Sequence, residues 1–222
     1  MAGIQDFCCF EDDFVGGATI AATVGEGAWK LTQTAAGGSP TCARVSPSAT
    51  GELAITLAAT NEVENMCVDF GDKLCFDIDN LQRFEARVKI SGAMTSGSTL
   101  AFGLQSARND NTDSTANNAQ FKMVGADSTS LVVVETDDGT TDKDDIATGV
   151  TLSTTYKKFV IDFTGGKSNV KFYIDGQRVA ASTTFDMSAA TSSLQPFVQL
   201  QKAANTNTNA VTVDYVKVVS KR

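Results

Sequence analysis

The sequence predicts an all-β chain folded as a two-sheet antiparallel β-sandwich, and three observations indicate this class. Asp provides 19 of the 26 acidic residues, Gly occurs 18 times and Thr is frequent, a composition that disfavours helices and suits strands and turns. Apolar and polar residues alternate along much of the chain after residue 52. Turn dipeptides such as Asp175-Gly176 separate these alternating runs.

The strand-like runs follow one another with short connections and no helical pattern between them. The clearest run is 83–90, in which Phe84, Ala86, Val88 and Ile90 alternate with charged residues, as expected of a strand with one buried face. The predicted strands span residues 52–58, 73–78, 83–90, 99–106, 119–124, 130–136, 156–163, 169–175, 177–181, 194–201 and 210–219. So many short strands indicate two packed sheets.

Turn chemistry supports this order of strands. Asp175-Gly176 lies between two runs and predicts a two-residue hairpin, because Gly tolerates the positive φ that such a turn needs. Asp138-Gly139 and Gly165-Gly166 predict two further turns. The polar stretches 105–118 and 137–148 are interpreted as solvated loops at the rim of the sandwich.

The chain is predicted to form a single domain, since no Pro-rich or charge-rich linker divides it. Residues 1–40 are expected to supply an N-terminal arm and first strands of the same domain, and residues 41–222 the β-sandwich. Five cysteines occur without a CxxC pair. They are interpreted as free thiols of a chain folded in a reducing cytoplasm, the alternative being a bridge between Cys67 and Cys75.

Charge and composition exclude several classes of function. The formal net charge is −8, which argues against a nucleic-acid partner because phosphate binding needs clustered Lys and Arg. The chain contains no His, so Ser-His-Asp and Cys-His catalysis and His-ligated metal sites are excluded. No apolar run reaches the roughly 20 residues that span a bilayer, so no membrane partner is expected.

Several motifs resemble the concanavalin A-like jelly rolls of lectins and glucanases. They are FEDDFVG at 10–16 followed by Trp29, FEARVKI at 84–90, VKFYIDGQRV at 170–179 and VTVDYVKVV at 211–219. YKKFVIDF at 156–163 and LQPFVQLQK at 194–202, taken with the last two motifs, resemble tailed-bacteriophage virion proteins built on this fold.

The resemblance to phage proteins implies a non-enzymatic capsid decoration or cement protein without a cofactor. Such a protein would lie on the outer surface of the virion, bind the major capsid protein and form a symmetric homo-oligomer such as a trimer. Acidic loops and an arm bearing Phe residues would supply the subunit contacts. The candidate contact residues are Phe7, Phe10, Phe14, Asn109, Asn111, Asp113, Asp137 and Asp142.

The alternative hypothesis is a carbohydrate-binding or glycan-depolymerising domain of a phage tail or receptor-binding protein. Glucanases of this superfamily carry a Glu-x-Asp-x-Glu strand, and the stretch beginning at Glu135 matches its first two acids, with Asp137 as the second. Gly139 stands at the third acidic position, which argues against that mechanism. This hypothesis requires an open sheet face with aromatic residues and at least two carboxylates, and Glu62 and Glu64 form a second pair of acids.

Two further patterns each have a functional and a simpler interpretation. Asn109, Asn111 and Asp113 alternate, and five Asp crowd residues 137–145, so either stretch could supply oxygen ligands to calcium or be a solvated acidic loop. Trp29 and Tyr156 are the candidate aromatic residues for a sugar platform, although packing at the core or rim is the simpler expectation for both.

Overall fold

The structure, a computed structural model, describes residues 7–15, 29–125 and 131–222 and confirms the predicted two-sheet antiparallel sandwich. The strands of the first half are β1 (Phe7–Asp12), β2 (Lys30–Thr34), β3 (Thr41–Arg44), β4 (Leu53–Thr56), β5 (Glu62–Asp69), β6 (Leu81–Ile90) and β7 (Ser98–Gln105). The strands of the second half are β8 (Asn118–Val124), β9 (Leu131–Asp137), β10 (Asp142–Thr151), β11 (Lys157–Asp162), β12 (Lys171–Ile174), β13 (Gln177–Val179), β14 (Gln195–Asn205) and β15 (Ala210–Lys221).

Two sheets pack face to face. Sheet A has the order β13-β12-β11-β6-β15-β4-β3, and β1 also pairs with β15. Sheet B has the order β10-β9-β8-β7-β14-β5-β2. In the described ranges the only helical segments are short 3-10 turns at 112–114 and 167–169. None of the helices found there is long and apolar enough to cross a membrane.

The core between the sheets is built around aromatic side chains contributed by both sheets. Phe102 and Phe121 of sheet B stack with ring centroids 5.6 Å apart. Phe159 of sheet A meets both rings edge to face at 4.9 Å. Such edge-to-face pairs add to the free energy of burying the rings. The alternating runs therefore place one set of side chains in this core and leave the other set on the outer face of each sheet.

The structure differs from the prediction in three segments. The predicted strand 73–78 is wrong, because only Phe76 forms a single bridge, to Leu194, before a turn at Asp77. The solvated loop predicted at 137–148 is also wrong over most of its length, since β10 begins at Asp142 and pairs with β9. Strand β5 was not predicted, because most of its residues are buried on both faces and it lacks alternation.

The N-terminal arm contributes to both sheets. Strand β1 pairs with β15 of sheet A, and β2 pairs with β5 of sheet B. Phe10 and Phe14 pack against Trp29, with ring centroids 5.6 and 6.0 Å away, whereas Phe7 is 51% exposed. All five cysteines are free thiols, so Cys67 and Cys75 are not bridged.

Candidate active site

The outer face of sheet B is lined with amide side chains. On four adjacent strands these amides alternate with core residues such as Met66, Leu100, Phe121 and Leu200. The amide residues on this face are Asn65 on β5, Gln195, Gln199 and Gln201 on β14, Gln105 on β7, and Asn118 and Gln120 on β8. All except Gln201 are buried, although they point away from the core.

A small apolar patch lies among these amides. Cys67, Ala101 and Phe197 form a buried cluster separate from the main core. Their positions alternate with core residues along their strands, and Cys67 stands directly opposite Gln199 in the pairing of β5 and β14. The outer face of sheet B is therefore mixed in character, with one aromatic ring surrounded by hydrogen-bonding groups.

Lys122 is the centre of a charged cluster on the same face. Its Nζ lies 2.6 Å from Glu135 Oε2, 2.7 Å from Asp145 Oδ1 and 3.3 Å from Asp144 Oδ1, and it also pairs with Asp113. The side chains of Lys122 and Glu135 are only 1% and 2% exposed. A buried lysine needs such partners, because an unpaired charge away from water is very unfavourable.

Local backbone irregularity brings two of these acids to Lys122. The pairing of β10 with β9 shifts register between Lys143 and Ile146, the position of Asp144 and Asp145. Asp145 has φ 49°, in the left-handed region. A bulge of this kind redirects side chains from the regular alternation of a strand. It allows two consecutive Asp residues of β10 to reach the same ammonium group.

Burial and charge shift the pKa values in this cluster. The pKa of Glu135 is raised to about 7, chiefly by burial and also by the negative charges of Asp113 and Asp144, against the opposing effect of Lys122. Burial also raises the pKa of Asp145. For Lys122, burial lowers the pKa, but hydrogen bonds to Asp113, Asp145 and Glu135 outweigh it and leave that pKa above its usual range.

The carboxylates of this cluster are close enough to surround a cation. Oxygens of Asp113, Glu135 and Asp144 lie within 4.8 Å of one another. The ammonium of Lys122 is hydrogen-bonded to all three and supplies the positive charge at that position. The side chains of Asn109 and Asn111 instead bond to their own loop, through Asn111 N, Asp113 N and Ser114. The geometry therefore favours a lysine-centred cluster over the calcium loops considered from sequence.

Residues 106–117, hereafter the cover loop, lie across the outer face of sheet B. The amide of Gln199 donates to the carbonyls of Asn109 and Asp110, at 3.2 and 3.1 Å. Asn65 donates to the same Asp110 carbonyl at 3.1 Å, and Gln195 donates to the Ser106 carbonyl at 3.1 Å. The prediction that 105–118 is a loop is confirmed over 106–117. The expected position at the rim of the sandwich is wrong, because the loop covers the outer face of sheet B.

Several buried polar atoms on this face lack a hydrogen bond to any described residue. They are Oδ1 of Asn65, Oδ1 of Asn118, both amide atoms of Gln105 and of Gln120, and Oε1 of Gln199. Buried polar groups in native proteins are nearly always paired, and an unpaired one costs free energy. The cover loop thus buries this face without satisfying its hydrogen-bonding capacity.

One end of the face stays accessible beside the cover loop. A cavity of about 480 Å³ opens there, lined by Asn65, Thr99 and Gln201 on the sheet and by Asp110 and Asn111 on the loop. Its size is within the usual range for small-ligand sites. The amide-lined face is therefore reachable from solvent at this end.

The acids predicted from the glucanase-like motif have separate positions. Glu135 lies in the Lys122 cluster, while Asp137 ends β9 and accepts a hydrogen bond from Gly139 N at 2.7 Å. Gly139 lies in the turn after β9 with φ 82°, so no third acid follows on this strand. Glu62 bonds to backbone amides of residues 36–38, and Glu64 is buried against Lys202.

The other predicted residues fall on different parts of the sandwich. Asn109, Asn111 and Asp113 belong to the cover loop, and Asp142 begins the edge strand β10. Trp29 is 3% exposed and donates from Nε1 to Asp12, so it is a packed residue and not a platform for sugars. Tyr156 contacts the outer face of sheet A. The proposed role of Phe7, Phe10 and Phe14 in subunit contacts stays a prediction.

Neither the lysine nor any of the seven amides of the site was identified from the sequence. Strand β8 alternates Asn118, Gln120 and Lys122 with Ala119, Phe121 and Met123, which indicates one polar face. That pattern predicts solvent exposure, because it contains no sign of the cover loop. The cover loop, together with residues 70–72 that bond to Gln195, lies over this polar face.

By sequence the chain matches no protein-family model and no curated protein. By structure it is similar to a protein of unknown function from Shewanella oneidensis, with TM-score 0.64, 12% identity and coverage of 98% of this chain and 88% of that one. It is similar to a Bacteroides ovatus family 16 glycoside hydrolase bound to a glucan product, with TM-score 0.62, 14% identity and coverage of 94% and 99%.

A β-glucanase from Bacillus licheniformis is similar to the same degree, with TM-score 0.62, 16% identity and coverage of 96% of this chain and 98% of that one. These likenesses establish the concanavalin A-like jelly roll of the glucanase type. They contradict the expectation that the chain is not an enzyme, because glycoside hydrolases and transglycosylases are among its structural neighbours.

Proposed function

We propose that this protein binds a glycan on the outer face of sheet B and hydrolyses it there. The observation that carries the proposal is the amide array, seven Asn and Gln side chains on one face, several with unused hydrogen-bonding atoms. Amides both donate and accept, as sugar hydroxyls do, and Phe197 offers an apolar surface among them. The glycoside hydrolases among the structural neighbours support this class of ligand.

Glu135 is the proposed general acid. With a pKa of about 7 it carries a proton for much of the time at neutral pH, as an acid catalyst must. It would donate this proton to the glycosidic oxygen as the bond to the anomeric carbon breaks. The elements of water complete the reaction, since the hydroxyl is added to the anomeric carbon and a proton restores Glu135.

Asp144 is the proposed second carboxylate. One of its oxygens lies within 4.8 Å of an oxygen of Glu135, close to the separation of roughly 5 Å between the two carboxyls of retaining glycosidases. This arrangement replaces the missing acid at Gly139 with an acid from the neighbouring strand β10. Lys122, hydrogen-bonded to both groups, would hold Asp144 in position.

The test is hydrolysis of a defined panel of polysaccharides, with lichenan, laminarin and mixed-linkage barley glucan as the first members. Release of reducing ends should fall by about 10²–10⁴-fold in Glu135→Gln, the usual contribution of a general acid. Binding measured by calorimetry should persist in that variant. Glu85→Gln, on the outer face of sheet A, is the matched control and should hydrolyse at the wild-type rate.

The proposal fails if neither the wild type nor a variant with residues 107–116 replaced by a short Gly-Ser linker binds or cleaves any glycan of the panel. It also fails if Glu135→Gln cleaves as fast as wild type. A virion location, the major capsid protein as partner and a homotrimer stay predictions, and mass spectrometry of the purified virion would test them.

A further inference from the structure

We propose that the cover loop is a reversible lid that competes with the glycan for the outer face of sheet B. This inference rests on the proposed function and concerns the regulation of the same site. In the closed arrangement seen here, the loop occupies the surface on which the glycan would lie. Opening would expose the amides, the Phe197 ring and Glu135 together.

The loop uses the hydrogen-bonding groups that a glycan would need. Gln195 and Gln199 donate to backbone carbonyls of the loop, and so does Asn65. A carbonyl oxygen in these positions accepts the same hydrogen bonds that a sugar hydroxyl oxygen would accept. The loop and the glycan therefore cannot occupy these amides at the same time.

The loop is a poor substitute for a polar ligand. Gln120 is fully buried near it, yet neither of its amide atoms has a hydrogen-bond partner among the described residues. The same is true of Oε1 of Gln199 and Oδ1 of Asn65. A ligand with hydroxyls on all sides satisfies such atoms, so it can replace the loop at a gain in hydrogen bonding.

The loop is joined at its base, and its contacts with the sheet between the two ends are polar. Ser106 N bonds to the Asn117 carbonyl at 2.8 Å, and Asn117 N bonds to Ser106 Oγ at 3.1 Å, which joins the two ends. Between them, the buried side chains are those of Thr112 and Thr115, which are small. Segments with few buried apolar contacts open at low cost relative to global unfolding.

Asp113 holds the lid closed through an ion pair with the sheet. Its carboxylate pairs with the buried ammonium of Lys122 and is itself 55% exposed. It is the carboxylate of the Lys122 cluster that comes from the loop, while Glu135, Asp144 and Asp145 come from the sheet. Breaking this pair leaves Lys122 with its partners on the sheet and removes an ion pair between the loop and the sheet, so the loop should open more often.

The reactivity of Cys67 can measure opening of the cover loop in the absence of a glycan. This residue is fully buried on the covered face beside Gln199, which the loop contacts. The experiment uses a parent with Cys8, Cys9 and Cys75 changed to Ser and Cys42 to Ala, and follows the reaction of Cys67 with a thiol reagent (DTNB) across denaturant concentrations. Asp113→Ala is compared with Glu11→Ala, which removes an ion-paired carboxylate on sheet A.

If the loop is a lid, the rate at which Cys67 reacts with DTNB should depend little on the denaturant concentration. Asp113→Ala should also raise this rate at least tenfold, and Glu11→Ala should leave it unchanged. The apparent Kd for the glycan that binds should then fall in Asp113→Ala by a comparable factor, because affinity scales with the open fraction.

Two results would contradict the proposal that the cover loop is a lid. One is reaction of Cys67 only at the rate of global unfolding in both the parent and Asp113→Ala. The other is a faster reaction in Asp113→Ala with no gain in glycan affinity. Opening detected by Cys67 in a protein that binds no glycan of the panel, even with the loop replaced, would instead refute the proposed function.

Discussion

Polar side chains on the outer faces of the two sheets differ in their exposure to solvent and in whether they are paired. On sheet A, Arg87 pairs with Asp214 at 2.6 Å, and Lys89 pairs with Glu52 at 3.3 Å. Tyr156 contacts this face, with Arg87 and Lys89 within 4.5 and 4.2 Å of its ring centroid. These side chains are partly exposed to solvent, and each finds a partner.

On sheet B the polar side chains are buried, and several of their atoms have no partner. Solvated ion pairs add little to stability, while buried unpaired amides reduce it. The face of sheet B is therefore unfavourable for stability alone, which is expected of a surface kept for binding. The contrast shows that a polar sheet face indicates a binding surface when it is buried, because burial without pairing does not contribute to stability.

The largest effect should come from removing the buried cation. Lys122→Met leaves Glu135 and the Asp residues around it without their counter-charge, and we expect a loss of about 3–5 kcal/mol in the free energy of unfolding. Urea denaturation at neutral pH measures it. A loss below about 1 kcal/mol would show that the cluster behaves like the exposed pairs of sheet A.

The next effect is a pH dependence that Glu135 creates. Its folded pKa of about 7 lies above the ordinary 4.5, so between these values the folded protein keeps a proton that the unfolded chain has lost. Stability should therefore fall as pH rises through this window, by on the order of 3 kcal/mol at about 1.4 kcal/mol per pKa unit. The slope, measured by urea denaturation at a series of pH values, should be much smaller in Glu135→Gln. Equal slopes in the two proteins would contradict the shift.

A third prediction separates stability from function at one residue. Gln120→Met replaces a buried amide without partners by an apolar side chain of similar volume, and should raise stability by about 1–2 kcal/mol. The same variant should weaken glycan binding, because it removes a group intended for the ligand. Thermal unfolding and calorimetry measure the two quantities. A destabilised variant would show that Gln120 is bonded in the folded protein.

The smallest effect is expected on sheet A. Arg87→Ala removes the pair with Asp214 and the contact with Tyr156, and should change the free energy of unfolding by less than about 1 kcal/mol. Hydrolysis of the glycan should not change. A larger effect on stability would remove the contrast between the two faces.

The predictability of each strand depended on how it is buried. Strand β6 was predicted correctly, because Phe84, Ala86 and Val88 point to the core while charged residues point to solvent. Strand β5 was missed since both of its faces are covered. Strand β10 was predicted to be a loop because acidic residues are rare in strands. Lys122, which forms ion pairs with two of its acids, is distant in sequence.

The sequence by itself determined the sandwich, most strand positions and the turn at Asp175-Gly176, because these follow from local alternation and backbone preference. It also identified Glu135 as an acid on a strand. Only the tertiary structure decided that Glu135 meets Lys122, Asp113 and Asp144, since these residues lie on different strands and a loop. It also decided that a loop covers the amide face, because burial is set by contacts between distant segments and leaves no trace in local pattern.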